Sequence, residues 1–437
     1  MSTSFASPAV AAPPRTAVGA TRRTRVLIGT DTYPPDVNGA AYFTARLARG
    51  LAARGARVHV VCPSPEGAPY TVERGGVVEH RLRSVSSLVH DSVRLAVPLG
   101  VRGHLDRLLD RLRPDAVHIQ NHFLVGRMLA AAAHARGVPV VATNHFMPEN
   151  LFDYVHVPGP LRPHAARLAW WDLGAVLSRA EHVTTPTPAA ARLLVDQGFT
   201  RPVEPVSCGI DLDRFSPLDG GAATRRRLRG RLGVPDRRTV LFVGRLDEEK
   251  RVDELVRAVA LTDGVQLVLA GHGAHRARLA ELAAEVGAAD RVVFLGFVPH
   301  ADLPDVYRCA DVWAIAGTAE LQSIATLEAM ASGLPVVAAD AMALPHLVEE
   351  GGNGYLYPPG SPEALAARVE SVVADEGRRL RMGACSRGMA ELHRLEDSLE
   401  RFERIYREAS AGAGAGAGAG SGAALTPAPP APGPAAV

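Results

Sequence analysis

The sequence predicts an α/β protein built from two doubly wound parallel sheets that face each other across a cleft. Three observations carry that expectation. The chain has 437 residues, 47% of them hydrophobic, which exceeds the ~250–300 residues that one core usually takes up. Short, nearly continuous apolar runs alternate with longer amphipathic stretches, as they do when helices cover both faces of a sheet. The alternation also restarts after the proline-punctuated stretch Pro202–Pro217, which divides the chain into two halves.

In the first half, Arg25–Gly29 reads as a strand, Tyr33–Gly39 as a loop, Ala40–Arg54 as a helix stopped by Gly55, and Val58–Cys62 as the next strand. That unit has the ~30-residue scale of a parallel crossover. Strands Ala116–Ile119 and Pro139–Thr143 follow, with helix Val125–Arg136 between them, and helix Arg162–Arg179 leads to strand His182–Thr185. In the second half the strands are Val240–Val243, Gln266–Ala270, Val292–Leu295, Val312–Ile315 and Pro335–Ala338. Helices Val252–Leu261, Ala274–Val286, Leu303–Cys309 and Ser323–Ala331 lie between them. The expected organisation is a leader over 1–23, domains over 24–215 and 216–390, a helix over 391–409 and an Ala/Gly/Pro tail over 410–437. Leader and tail are too poor in large apolar side chains to build a core.

Composition narrows the function. A formal charge of +2 argues against a nucleic-acid binder, which carries a marked basic excess. Cys62, Cys208, Cys309 and Cys385 are widely spaced, which fits neither a zinc site nor a disulfide framework and suits a cytoplasmic setting. Residues 24–215 hold 21 arginines against 17 carboxylates, and residues 216–410 hold 24 cations against 29 carboxylates. A basic half beside an acidic one suits an anionic acceptor or a membrane surface, or reflects an arginine-rich composition alone. Trp170-Trp171 fits either a membrane contact or a partly buried pair. Lys250 is the only lysine among 48 basic residues.

Ligands of doubly wound sheets bind at the carboxyl ends of the strands, so the loops there carry the chemistry. Gly244 allows a tight turn, and Arg245 with Lys250 places two cations where one diphosphate can meet both. Asp247, Glu248 and Glu249 suit the positive end of the following helix. Glu320 falls in a loop and Glu328 on the next helix, where a carboxylate can accept hydrogen bonds from vicinal sugar hydroxyls. The N–H groups of Gln322, Ser323 and Ile324 would face the cleft as an anion site. In the first half, Asn38-Gly39 can bring backbone against a phosphate or an acceptor, and His145 ends a strand beside Asn144. Asn121 and His122 are either acceptor contacts or structural. The loop has no G-x-G-x-x-G pattern, so dinucleotide binding is unsupported. Asp211-Leu-Asp213 has the form of a metal–nucleotide D-x-D pair, but turn chemistry and capping explain it without a metal.

Taken together, Tyr33-Pro-Pro-Asp-Val-Asn-Gly39, Asn144-His145, Gly209-Ile-Asp-Leu-Asp-Arg-Phe215, Gly244-Arg-Leu…Lys250 and Glu320-x7-Glu328 resemble the retaining glycosyltransferases of family 4. That resemblance implies the GT-B fold, a nucleotide diphosphate sugar as donor, a lipid or saccharide acceptor, and no cofactor or metal. It implies that Arg245 and Lys250 hold the diphosphate, Glu328 the ribose and Glu320 a sugar hydroxyl. Gly39 and His145 would complete the site from the other domain, and Val298 would flank the base through its backbone. Many members carry Glu-Gly-Phe-Gly where this chain has Glu320-Leu321-Gln322-Ser323, a form similar to the glycolipid and cell-envelope branches. The family also implies a C-terminal helix crossing back to the first domain, for which Leu392–Arg407 is the candidate. Two rivals are a sugar phosphorylase with pyridoxal phosphate on Lys250 and a non-catalytic sugar-nucleotide-binding subunit.

Overall fold

A computed structural model describes residues 23–87, 94–148 and 157–416. The expected leader lies outside the described residues except for Arg23, and so does the tail beyond 416. Among the described residues, the first half holds an eight-stranded sheet. Its order is Val203–Pro205, His182–Thr185, Val140–Thr143, Ala116–Ile119, Arg25–Gly29, Arg57–Pro63, Val77–Leu82 and Tyr70–Arg74. Every neighbouring pair is parallel except the last, where Tyr70–Arg74 runs antiparallel to Val77–Leu82. The sheet is thus mixed at one edge, contrary to the wholly parallel expectation. Gly75 and Gly76 supply two consecutive positive φ angles, 57° and 75°, which a two-residue hairpin needs and other residues resist.

The second half holds six parallel strands ordered Val292–Gly296, Val265–Ala270, Arg238–Val243, Val312–Ile315, Val336–Ala339 and Gly354–Tyr357. In each sheet the chain winds outward in both directions from a central strand. The order reverses between Arg25–Gly29 and Ala116–Ile119 in the first, where Val26 pairs with Ala116. It reverses between Arg238–Val243 and Val312–Ile315 in the second, where Val240 pairs with Val312. Such reversals open a crevice at the carboxyl ends of the strands. The loops that emerge there are those ending at Gly39, Lys250 and Ser323.

The second core closes around Phe242, Tyr307 and Trp313. On one face of the first sheet, the core includes side chains from the far end of the chain. Helix Leu395–Gly416 places Leu399, Phe402, Ile405, Tyr406 and Ala409 against Val26, Ile28 and Phe43. This helix also corrects the expected start of the tail at Ser410. It continues to Gly416 although glycine alternates with alanine there, and its last turns are anchored where Ser410 Oγ donates to Asp115 O at 2.7 Å.

Candidate active site

A cleft of about 670 Å³ opens between the two halves. From the first half, its wall is helix Gly39–Ala53, which presents Gly39, Tyr42, Arg46, Arg49 and Ala53. These positions recur at three or four residues and share one helix face. Asn38 caps that helix: its Oδ1 accepts from Ala41 N–H at 2.9 Å while its Nδ2 donates to Thr32 Oγ1 at 2.6 Å. Asn38 therefore shapes the entrance to the helix with its side chain, and it lines the cleft beside Gly39. Just beyond it, a Cβ added to Gly39 would meet nothing within 4 Å, so the space above this backbone is open to a ligand.

The opposite wall comes from the two loops at the second switch point. Gly244 and Gly271 touch backbone to backbone, since a Cβ on Gly271 would lie 1.8 Å from Gly244 O. Behind that contact Arg245 Nη1 donates to Asp247 Oδ2 at 2.7 Å and its Nη2 to Glu249. Asp247 makes no side-chain cap to the following turn. The acidic run thus holds the arginine as well as suiting a helix start, with Glu248 and Glu249 in the first turn. Lys250 Nζ lies 2.7 Å from Glu320 Oε1 and 3.4 Å from Glu249 Oε1. Burial opposes its charge, but the two carboxylates outweigh burial and hold its pKa above the ordinary lysine value.

Glu328 is 7% exposed and receives the Tyr307 hydroxyl on Oε2 at 2.8 Å. Burial raises its pKa, while that hydrogen bond and the nearby Arg46 and Arg214 pull it back toward the charged form. Arg46 and Arg214 line the cleft with Glu328. Helix Ile324–Ala331 begins one residue later than expected, with Ser323 as its N-cap. Ser323 sits at φ 66°, a left-handed conformation that glycine adopts more easily, and its Oγ accepts from Thr326 N–H at 3.3 Å. Val298, Ser323 and Ile324 complete this wall.

Six expected site residues do not line this cleft. Leu321 is buried with Met147 and Ala190, and Gln322 bonds Ser207 and Cys208. Their side chains find better partners in an apolar pocket and a backbone amide than in an open cleft. Asn144 Oδ1 accepts from Phe146 N–H at 3.1 Å, closing a local turn. Asn121 donates to Asp31 Oδ2 at 2.6 Å and accepts from Asp31 N–H at 3.0 Å. Asp31 in turn takes Val125 N–H and Gly126 N–H at the start of helix Leu124–His134, and burial lifts its pKa to about 6. His122 is 4% exposed and packs on Phe123 and Phe146. Both follow strand Ala116–Ile119, Asn121 bonded to Asp31 and His122 buried among aromatic rings. His145 is tied to Gln120 Oε1 through Nε2 at 3.0 Å and packs on Phe43; desolvation pushes its pKa down to about 3.

The cleft also holds residues to which the sequence assigned no place in the site. Tyr42 stacks on His300 across it, with centroids 5.8 Å apart and planes 20° from parallel. Arg214 and Asp211 enter from the linker. Asp211 Oδ1 accepts from Asp213 N–H and Arg214 N–H, so it closes a turn. The helical spacing 39-42-46-49 was a usable signal, and Arg214 lies in the motif Gly209–Phe215; His300 had none, because only folding brings its segment to the cleft.

Comparisons with known proteins show the family and the fold. Residues 37–214 match the family model described as Glycosyltransferase Family 4, and residues 224–389 match Glycosyl transferases group 1. A GDP-mannose-dependent alpha-mannosyltransferase of Mycobacterium tuberculosis is 32% identical over 79% of this chain and 88% of its own length. An alpha-monoglucosyldiacylglycerol synthase of Streptococcus pneumoniae is 27% identical over 80% of this chain and 78% of its own. Sucrose-phosphate synthase from Thermosynechococcus elongatus superposes with a TM-score of 0.75 at 23% identity, covering 89% of this chain and all of that one. That last likeness concerns the fold, GT-B. Neither rival reading is favoured.

Proposed function

The chain belongs to glycosyltransferase family 4 and is a retaining glycosyltransferase of the nucleotide-sugar-dependent kind; on that premise we propose how its cleft works. Arg245 and Lys250 hold the donor diphosphate, with Gly39 closing over it from the first half. Glu328 Oε1 takes a ribose hydroxyl while Tyr307 occupies Oε2. Glu320 takes a hydroxyl of the transferred hexose, and Val298 flanks the base. What supports this reading most is that both cations and the open backbone at Gly39 line one cleft. As the glycosidic bond breaks, negative charge grows on the leaving diphosphate. Two fixed cations and the positive end of helix Ile324–Ala331 oppose it in a site that needs no reorganisation, and they do so without a metal ion. His145 lies behind the cleft wall, where its Nε2–H is given to Gln120 and its ring packs on Phe43 of the helix that carries Gly39, so on this reading it supports that wall. A panel of UDP-, GDP- and ADP-hexoses read by nucleotide release tests the proposal. One donor should stand out; release from none of them would end it.

The acceptor reading is a lipid at an anionic membrane surface. Among the described residues no helix is long and apolar enough to cross a membrane, so contact would be peripheral. Of the tryptophan pair, Trp170 is buried and Trp171 is 68% exposed. Leu161, Leu168 and Trp171, all exposed, follow helical spacing along Arg162–Leu177 and its leading turn, with Arg162 and Arg167 beside them. Apolar side chains flanked by arginines suit insertion between anionic headgroups. Vesicles containing phosphatidylglycerol should pellet the protein, and the double variant Leu168→Ser, Trp171→Ala should stay in solution with donor turnover intact. Wild-type protein that ignores such vesicles would remove the membrane from this account.

A further inference from the structure

The segment between Glu320 and Ser323 departs from the family pattern, and both of its intervening residues are engaged outside the second half. Leu321 is 7% exposed, packed with Met147 and Ala190 of the first half. Its carbonyl accepts from Thr187 Oγ1 at 2.9 Å. Gln322 is 3% exposed. Its Oε1 accepts from Cys208 N–H at 2.7 Å, and its Nε2 donates to Ser207 Oγ at 3.0 Å. Ser207 Oγ also lies 3.0 Å from His393 Nδ1, at the segment where the chain returns to the first half. One amide side chain therefore joins the active-site loop to the first connection between the halves and, through Ser207 Oγ, to the second.

We propose that Gln322 is a positioning residue: its grip on Ser207 and Cys208 fixes Glu320 and Ser323 against the donor. The site is then assembled by the mutual placement of the two halves. Glycines in this loop would leave it free to settle after donor binding. Leucine and glutamine commit it beforehand, because the apolar burial and the two hydrogen bonds would be lost in any other loop conformation. The buried amide has no water to fall back on, which makes its partners costly to separate. The flanking residues inherit the constraint. Glu320 is bonded to Lys250 and its carbonyl accepts from Ala343 N–H at 3.2 Å, while Ser323 holds its left-handed conformation.

This inference rests on the donor reading above, and its test separates the two. Gln322→Ala should lower kcat by about 10²-fold, the scale of a small misplacement of reacting groups. Its affinity for the free nucleoside diphosphate, measured by calorimetry with UDP, GDP and ADP, should stay within about twofold, since Arg245, Lys250 and Glu328 remain in place. Gln322→Glu should recover most of the turnover, because one carboxylate oxygen still accepts from Cys208 and the other from the Ser207 hydroxyl. If Gln322→Ala does not fold, Ser207→Ala reads the same link from the linker side, with turnover lowered and nucleotide affinity kept. Unchanged kcat in a folded variant, or affinity falling in step with kcat, would overturn the proposal. Wild-type protein that binds none of the three nucleotides would remove the donor reading and this inference with it.

Discussion

Lys250→Ala should lower kcat/KM by about 10²–10³-fold, the usual cost of deleting one preorganised group that stabilises transition-state charge. The geometry explains why the loss is not shared out. Arg245 is already forked between Asp247 and Glu249. Removing the ammonium leaves Glu320 and Glu249 beside the diphosphate with that one arginine to offset them. Lys250→Arg should recover little, since a planar fork cannot replace a compact ammonium 2.7 Å from Glu320. Steady-state kinetics on both variants, with melting temperatures to show intact folding, checks this. A second measurement follows from composition. Lys250 is the only lysine, so an amine-directed reagent has this site and the chain's amino terminus as its targets, and the raised Lys250 pKa means that labelling there should need alkaline pH. Bound donor nucleotide should protect it. Near wild-type turnover in Lys250→Ala would refute the assignment.

The second large effect is on stability in mild acid. His118 is fully buried, with Nδ1 2.8 Å from Tyr406 Oη and Nε2 2.7 Å from Thr143 Oγ1. Burial depresses its pKa to about 3, and that of His122 to about 4. In the unfolded chain each histidine titrates near 6.5. Between that value and the folded pKa the unfolded state binds protons that the native state refuses, so stability is complete above pH 6.5 and lost as pH falls toward 3 to 4. At pH 5 the cost is about 2 kcal/mol for a buried histidine of this kind, and the two together take a large share of an ordinary 5–15 kcal/mol. Asp31 works in the opposite sense. Its pKa is raised to about 6, so its contribution is present below pH 4 and lost as pH rises through 6, which blunts the acid loss without cancelling it. Melting temperatures at pH 7.5, 6 and 5 should fall steeply over this range. His118→Gln should start lower at pH 7.5 but lose less on acidification, whereas a slope equal to that of the wild type would assign the acid sensitivity elsewhere.

Much of the architecture was legible because it rests on periodicity. Arg25–Gly29, Ala116–Ile119, His182–Thr185 and Val312–Ile315 keep their expected bounds, since each is a short run buried at nearly every position, as strands covered on both faces are. The hairpin of Tyr70–Arg74 and Val77–Leu82 was not legible. Tyr70–Arg74 has no buried position, and Val77–Leu82 is mostly buried but carries Glu79, His80 and Arg81, so neither shows a continuous apolar run. The helix beyond Ser410 was read as tail because alanine and glycine alternate there without an apolar face. What holds its start is a contact with Asp115, 295 residues away in sequence.

The site divides along the same line. The sequence by itself determined which loops face the cleft and which cations and carboxylates they bring, because strand order and loop position follow from local pattern and every neighbour needed lies within a few residues. It also singled out Lys250, since one lysine among arginines is visible without coordinates. Only the tertiary structure decided which polar side chains are free to meet a ligand. Asn38, Asn121, Asn144 and Gln322 look alike in a sequence, yet each is engaged with a backbone amide or a carboxylate. A hydrogen-bonding group serves whichever partner folding places beside it, and burial makes leaving that partner expensive. Those partners come from segments as far as 114 residues apart, a distance over which no local pattern carries information.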